Sequence, residues 1–357
     1  MEEHSNVSVA SHGRLKGLIA EQSNECVLRV RHGCSWWDGS NRSTLGSTGD
    51  SPRSPAFRTA SITKTFTAAL VLFLVEEGRL SLDASLSTYL PIEVCQRIHV
   101  FKGTSYGPRI TVAQLLRHRS GVFDYATSPR FFEHVARNPR QKWRPMDLLN
   151  EAILSGGPYF RPDEGFAYSD TGYVLLAMIL EAVTGASLAT LYRNRLLDPL
   201  RLEHTYLEGC EPSVDWPVSQ AFAGAVDTSA LDPSFDTFGG GGLVSTAADL
   251  DQFISRLMSG SIFSKKETLS AMMEGTEAPA GIGTRKIRSA AGLSAFSVAD
   301  IVVWGHLGHW NSFMLHSIEQ DLSVCGTFNQ ADEDPRQRRV LEAAVNEGLT
   351  WQRYALA

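Results

Sequence analysis

An antiparallel sheet flanked by helices, built from both ends of the chain and interrupted by an inserted, mainly helical domain, is the α/β (α+β) fold class that this sequence predicts. Three observations carry the prediction. Strand-like segments occur near the start, at Glu25 to Arg31, and again near the end, at Ser297 to Trp304, Ser312 to Ile318 and Ser323 to Phe328. Helical patterns occupy the stretch between them. The two most apolar segments, Phe66 to Val75 and Tyr173 to Val183, are too short to cross a bilayer and suit buried helices. The expected division is residues 1–83 with 239–357 for the sheet domain and 84–238 for the helical insertion, with the active site between them.

The elements follow in order. Alternation in Glu25-Cys26-Val27-Leu28-Arg29-Val30-Arg31 marks a strand, and a Gly/Ser-rich stretch follows from Gly39 to Ser54. A helix is expected next, with Thr59 or Ser61 as N-cap, an unbroken run from Phe66 to Val75, and Gly78 just past its end. In the middle region Thr111 caps Val112 to Leu116, and a helix from Thr171 to Ala186 closes at Thr184-Gly185. Breaks at Pro158, Pro162 and Pro199 separate these helices. The glycine run 239–242 opens the third region and reads as a flexible approach to a strand lining the cleft. A helix capped at Thr246 runs to about Met258, the C-terminal strands follow, and a last helix spans about Asp334 to Leu349.

Composition bounds the function. At 357 residues, 43% hydrophobic and 20% charged, the chain is an ordinary folded protein of roughly two domains, or one core with a long insertion. The net charge is −6 and the basic residues are scattered, which argues against nucleic acid as the main partner. The segment Met1-Glu2-Glu3-His4-Ser5-Asn6 is acidic and polar, unlike a secretory signal. Five cysteines are odd in number, widely spaced and without a Cys-x-x-Cys pair. Reduced thiols in a cytoplasmic protein, with no membrane partner, are the expectation.

Ser61-Ile62-Thr63-Lys64 places a hydroxyl and an amine three residues apart at the start of an apolar helix, one turn apart on one face. The helix N-terminus adds free N–H groups and a positive dipole end. Such a pair recurs by chance, and its bland reading is a helix cap with a solvated lysine. Two other clusters can complete a site. Tyr168-Ser169-Asp170 leads into an apolar helix, where the tyrosine is either a structural hydroxyl packed under the loop or a base. Gly305-His306-Leu307-Gly308-His309-Trp310 follows a strand, where Gly308 allows a close backbone approach. No metal is expected, because His306 and His309 tend to opposite faces and no His-Glu-x-x-His or cysteine set is present. A phosphate loop is not expected after the glycine run, nor is a Gly-x-Ser-x-Gly elbow found at Ser61. Trp36, Trp37 and Trp310 are candidates for an apolar acyl pocket or for core aromatics.

Taken together, from about Phe57 to Asn329, these segments resemble the serine β-lactamase and penicillin-binding-protein superfamily, in its class C β-lactamase-like branch with esterases, D-aminopeptidases and D-amino acid amidases. The resemblance rests on Arg58 to Thr67 around Ser61-Ile62-Thr63-Lys64, Val75 to Asp83, Ile110 to Gly121, Tyr168 to Tyr173, Gly240 to Leu250, and Gly305-His306-Leu307-Gly308, all in the family's order. It implies a β-lactamase/transpeptidase-like fold and a serine hydrolase without a cofactor. It also implies roles. Ser61 would be the nucleophile that forms an acyl-enzyme, Lys64 the charge that activates it, and Tyr168 the base toward the serine and acid toward the leaving group. The backbone N–H groups of Ser61 and His309 would form the oxyanion hole, and Asp170, His306, Leu307 and Gly308 would bind substrate.

Two departures shape the expected substrate. Asp170 stands where many relatives carry asparagine; ionised, it would pair with Lys64 and favour a substrate with an amino group over an acylated one. His306 stands where β-lactamases of this branch carry the lysine of Lys-Thr-Gly, which weakens the anchor for a substrate carboxylate. A small ester, amide or D-amino-acid-containing peptide is therefore expected ahead of a β-lactam. Alternatives are an acyltransferase with the same acyl-enzyme and a binding or sensing domain that has lost turnover.

Overall fold

The computed structural model describes residues 13–41, 54–277, 285–332 and 334–355. The acidic N-terminal hexapeptide, most of the Gly/Ser-rich stretch and part of the loop from Ala278 to Arg288 lie outside them. Seven strands form one antiparallel sheet. They are β1 (Val27–His32), β2 (Ser35–Ser40), β3 (Arg285–Ser289), β4 (Ser294–Val298), β5 (Ile301–Leu307), β6 (Phe313–Ser317) and β7 (Leu322–Thr327). The spatial order is β3-β4-β5-β6-β7-β1-β2, so the N-terminal strand β1 pairs with the last strand β7, with Val30 opposite Val324.

Helices cover both faces of this sheet. Leu28, Val30, Phe313, Leu315, Leu322 and Val324 pack beneath α1 (Gly13–Ala20) and α11 (Pro335–Ala355). The alternate residues Val27, Met314 and Cys325 join a second core with α2 (Thr63–Glu76). This is the period-two pattern of strands buried on both sides. The segment Ser297 to Trp304, expected as one strand, is instead the hairpin β4–β5. Ala299 and Asp300 form its two-residue turn with φ of +47° and +62°. Two positive φ values in succession belong to the primed hairpin turns, which glycine and asparagine usually announce.

Between β2 and β3 the chain is mainly helical. In order come α3 (Ile92–Ile98), α4 (Val112–Leu116), α5 (Pro129–Arg137), α6 (Pro145–Ser155), α7 (Asp170–Thr184), α8 (Leu188–Tyr192), α9 (Ala247–Met258) and α10 (Lys266–Met273). Thr111 and Gln114 make a reciprocal capping box at α4, with N–H to oxygen distances of 2.9 and 3.2 Å. Helix α7 is capped by Ser169 and ends at Gly185, φ +72°. It packs with α2 in one core, which explains why both runs are apolar nearly all round. On α9, Phe253 stacks on Phe66 of α2 with ring centroids 3.6 Å apart. Among the described residues no single helix is long and apolar enough to cross a membrane.

One polar joint locks the C-terminal end of α2 to α10. The Glu76 carboxylate accepts from the N–H of Ser264 and of Lys265 at 3.1 and 3.0 Å, and from the hydroxyls of Ser264 and Thr268. Desolvation opposes the charge and is the largest single contribution, but these four donors together outweigh it and depress the pKa to about 2. A depressed carboxyl adds stability above its unfolded value near 4.5 and loses it as pH falls toward 2. Glu76→Gln should therefore cost on the order of 1–2 kcal/mol at pH 7 after solvent screening. That difference should shrink steadily between about pH 4.5 and 2, as read by urea denaturation of both proteins.

Candidate active site

The nucleophile candidate sits in a short 3₁₀ turn, Ala60–Ile62, directly before α2. Ala60 has a positive φ of +46°, a conformation an alanine holds only when its surroundings impose it. The surroundings are visible. Thr59 donates its backbone N–H and its hydroxyl to the Leu243 carbonyl at 2.9 and 2.8 Å. Its own carbonyl accepts from the Ser312 hydroxyl at 2.8 Å. The expected side-chain cap by Thr59 or Ser61 is absent, because both hydroxyls have other partners.

Lys64 is wholly buried, and its ammonium has three acceptors. It donates to Ser61 Oγ at 2.9 Å, to the Gly240 carbonyl at 2.7 Å, and to Asp170 Oδ1 in a short ion pair. Burial works against its charge, but Asp170 and Tyr168 outweigh it and hold the pKa above the ordinary lysine value. The glycine run is therefore no flexible approach to the cleft. A Cβ on Gly240 would lie 2.6 Å from Asp170 Oδ1 and 3.5 Å from Lys64 Nζ, so the bare backbone is what lets this carbonyl reach the ammonium.

Tyr168 faces the same group. Lys64 Nζ lies 4.8 Å from its ring centroid, and the phenol interacts with both Lys64 and Ser61. Burial raises its pKa, with Lys64 pulling the other way, so the phenol rests protonated. His118 stacks on the Tyr168 ring at 4.4 Å and 28°, and its Nδ1 accepts the Ser169 N–H at 3.2 Å. That hydrogen bond leaves the imidazole proton on Nε2 when the ring is neutral. His118 is buried, with φ +55°, and supports both the tyrosine and the start of α7.

The end of β5 closes the other side. A Cβ on Gly308 would lie 2.4 Å from the Thr59 carbonyl and 2.1 Å from Ser312 Oγ, so only glycine allows this strand to meet the nucleophile turn. Among the described residues, neither the Ser61 nor the His309 backbone N–H has a hydrogen-bond acceptor. His306 lies 6.3 Å from Tyr168 between ring centroids, and its Nδ1 donates to the Leu307 carbonyl at 2.7 Å. Burial lowers the His309 pKa, opposed by Asp170 and Asp332.

These residues line a cavity of about 970 Å³ together with Asp124, Tyr125, Phe131, Leu231, Phe235, Asp236 and Trp310. The structure brings Ser61, Tyr168, Asp170, His306, Leu307, Gly308 and His309 into its wall, with Lys64 buried behind Ser61. Trp310 joins them; Trp36 and Trp37 do not, because both stand on the edge strand β2. Sequence reading passed over Asp124 and Asp236. Asp124 Oδ1 accepts the N–H of Asp170 at 3.0 Å and of Ala126 at 3.2 Å. Burial, then the nearby Asp170 charge, pushes each of these two carboxyls up to about 7. The signals in the sequence were slight: Asp124 lies in a loop without a readable code, and Asp236 stands three residues before the glycine run.

Comparison with known proteins places the fold. A family model described as Beta-lactamase matches residues 32–347. Penicillin-binding protein 4* of Bacillus subtilis (strain 168) is 34% identical over 149 residues, 42% of this chain and 30% of its own length. Teichoic acid D-alanine hydrolase of Staphylococcus aureus is 27% identical over 214 residues, 59% of this chain and 48% of its own. The matched segments thus span less than half of these curated relatives. Among solved structures, a D-stereospecific amidohydrolase from Streptomyces sp. superposes with a TM-score of 0.77 at 28% identity, covering 93% of this chain and 97% of that one.

Proposed function

This chain belongs to the beta-lactamase family, and from that premise we propose that it is a serine hydrolase that forms an acyl-enzyme on Ser61 with a small ester, amide or D-amino-acid-containing peptide. One observation carries the reading. A buried ammonium, kept charged by Asp170, donates to Ser61 Oγ at 2.9 Å at the wall of a cavity that Tyr168 also lines. The charge lowers the cost of developing oxygen anion at the serine.

The protonated state of Tyr168 supports a relay. As Ser61 Oγ bonds to the substrate carbonyl carbon, its proton passes to the Tyr168 oxygen while the phenol's own proton goes to the departing nitrogen or oxygen. Water then attacks the acyl-enzyme by the same path reversed, releasing the acid and restoring Ser61. The free N–H groups of Ser61 and His309 supply the oxyanion hole for both steps. Asp170 holds Lys64 charged, and His306, Leu307 and Gly308 form the wall along which the substrate lies. In the same proposal the chain divides into a helical unit, 84–238, and a sheet unit, 1–83 with 239–357, with the active site between them, supported by a cavity lining drawn from both ranges. Cytoplasmic residence is part of the same proposal, supported by five free cysteines.

The names of the relatives favour D-configured acyl groups, and His306 in place of a lysine disfavours β-lactams. The test is intact-mass analysis with a fluorophosphonate, followed by turnover of a panel of D- and L-amino acid amides, a p-nitrophenyl ester and a β-lactam. A Ser61 adduct, ester and D-amide turnover, and little β-lactam loss are expected. Absence of any adduct and any turnover would leave the binding-domain alternative standing. Product analysis with an added amine separates hydrolysis from acyl transfer.

A further inference from the structure

Four aspartates line the cavity, and their partners differ; Asp334 is bound by the Arg336 guanidinium. Asp170 is paired with Lys64. Asp124 accepts two backbone N–H groups, from Asp170 and Ala126. Asp236 has no hydrogen-bond donor and no ion-pair partner among the described residues, yet it lines the cavity. Its carboxylate is pressed against the chain at Gly241, where an added Cβ would lie 2.3 Å from both of its oxygens. The nearest cations are committed elsewhere. Arg58 is bound in a two-pronged fork to Glu208 at 2.8 and 2.9 Å, and Lys64 is fully occupied by its three acceptors.

We propose that Asp236 is a specificity-determining residue that binds the ammonium group of the substrate, so that the site selects acyl groups carrying a free amine over their N-acylated counterparts. The inference rests on the reading of Ser61 as nucleophile and names a residue that reading does not. Lys64 and Arg58 attract this carboxylate from nearby without bonding to it, and a ligand ammonium would supply the bonded cation through a charge-assisted hydrogen bond. Burial and then the Asp170 charge raise its pKa against the pull of Lys64 and Arg58, and a bound ammonium would offset both. The neighbouring wall decides what else the ligand carries. Tyr125, Phe131, Leu231 and Phe235 form an apolar surface on the same cavity, suited to a hydrocarbon or aromatic group on the carbon that bears the amine. Those features together describe an ester or amide of an amino acid with an apolar side chain. Among the described residues no group of three or more His, Cys, Asp or Glu is arranged to hold a metal ion, so an organic cation fits better than an inorganic one.

The experiment compares kcat/KM for D-phenylalanine p-nitroanilide and its N-acetyl derivative, in the parent protein and in Asp236→Asn. The parent should prefer the free amine by at least about 10-fold, and the ratio should fall by about 10- to 100-fold in the variant, mainly through KM. A variant ratio equal to the parent's, with Ser61 still labelled by a fluorophosphonate, overturns the assignment of Asp236 and leaves the hydrolase reading intact. A parent in which no probe acylates Ser61 removes both. Should Asp236→Asn fail to fold, the parent alone decides. D-phenylalanine amide must then outcompete its des-amino analogue, 3-phenylpropionamide, and equal affinity for the two sinks the proposal.

Discussion

Ser61→Ala is expected to lower kcat/KM for a p-nitrophenyl ester by at least about 10⁴-fold and to abolish every covalent adduct seen by intact mass. The size follows from what the hydroxyl does. It is the group on which Lys64 and Tyr168 converge, and without it their charge and proton path have no nucleophile to act upon. The cavity and both proposed oxyanion donors remain, so weak substrate binding should survive. The fold should survive too. Ser61 is only half-buried, and Lys64 keeps Asp170 and the Gly240 carbonyl after the change. Thermal unfolding should therefore move by no more than the equivalent of about 1 kcal/mol. A variant that kept more than about a hundredth of the parent rate would place the nucleophile elsewhere.

Gly308→Ala is expected to reduce kcat by about 10²- to 10³-fold while the Ser-Lys-Tyr set stays chemically complete. The added methyl would meet the Thr59 carbonyl at 2.4 Å and the Ala60 Cβ at 3.2 Å, both on the nucleophile turn. Ser312 Oγ, at 2.1 Å, is itself bound to Thr59 and has no easy retreat. The strand end must back away, taking the His309 N–H from the position proposed for the oxyanion. Overpacking of this kind costs about 1–3 kcal/mol of stability as well. Stopped-flow measurement of the acylation burst separates the two effects, because a folded protein with a normal burst rate would show that His309 is no oxyanion donor.

The site was legible where its chemistry lies in local spacing. Ser61 and Lys64 declare themselves three residues apart, and the chain order of Tyr168 and His306 to Gly308 carries the resemblance that the family match bears out. Helix ends at Gly78 and Gly185 and the capping threonine, Thr111, were readable for the same reason: one residue type solves one backbone problem. What escaped is set by tertiary contact. Ala299 and Asp300 take positive φ because β4 and β5 pair, although alanine gives no sign of it. Asp124 and Asp236 matter only because folding sets them near Lys64, from positions 60 and 172 residues along the chain. Of the two readings of Trp36 and Trp37, the acyl pocket falls away because both stand on the edge strand β2, where Trp37 packs against the core.

The bond from the Ser312 hydroxyl to the Thr59 carbonyl joins residues 253 apart in sequence. Ser61 leaves the ribosome early, yet the turn that presents it cannot be braced until β5 and β6 have been synthesised and have found their places beside β7 and β1. A nascent or C-terminally shortened chain thus carries the serine and the lysine without the reactive pocket. On the proposed function, hydrolytic power would arrive late, as a property of the finished molecule, and the growing chain would be protected from acylation at its own half-made site.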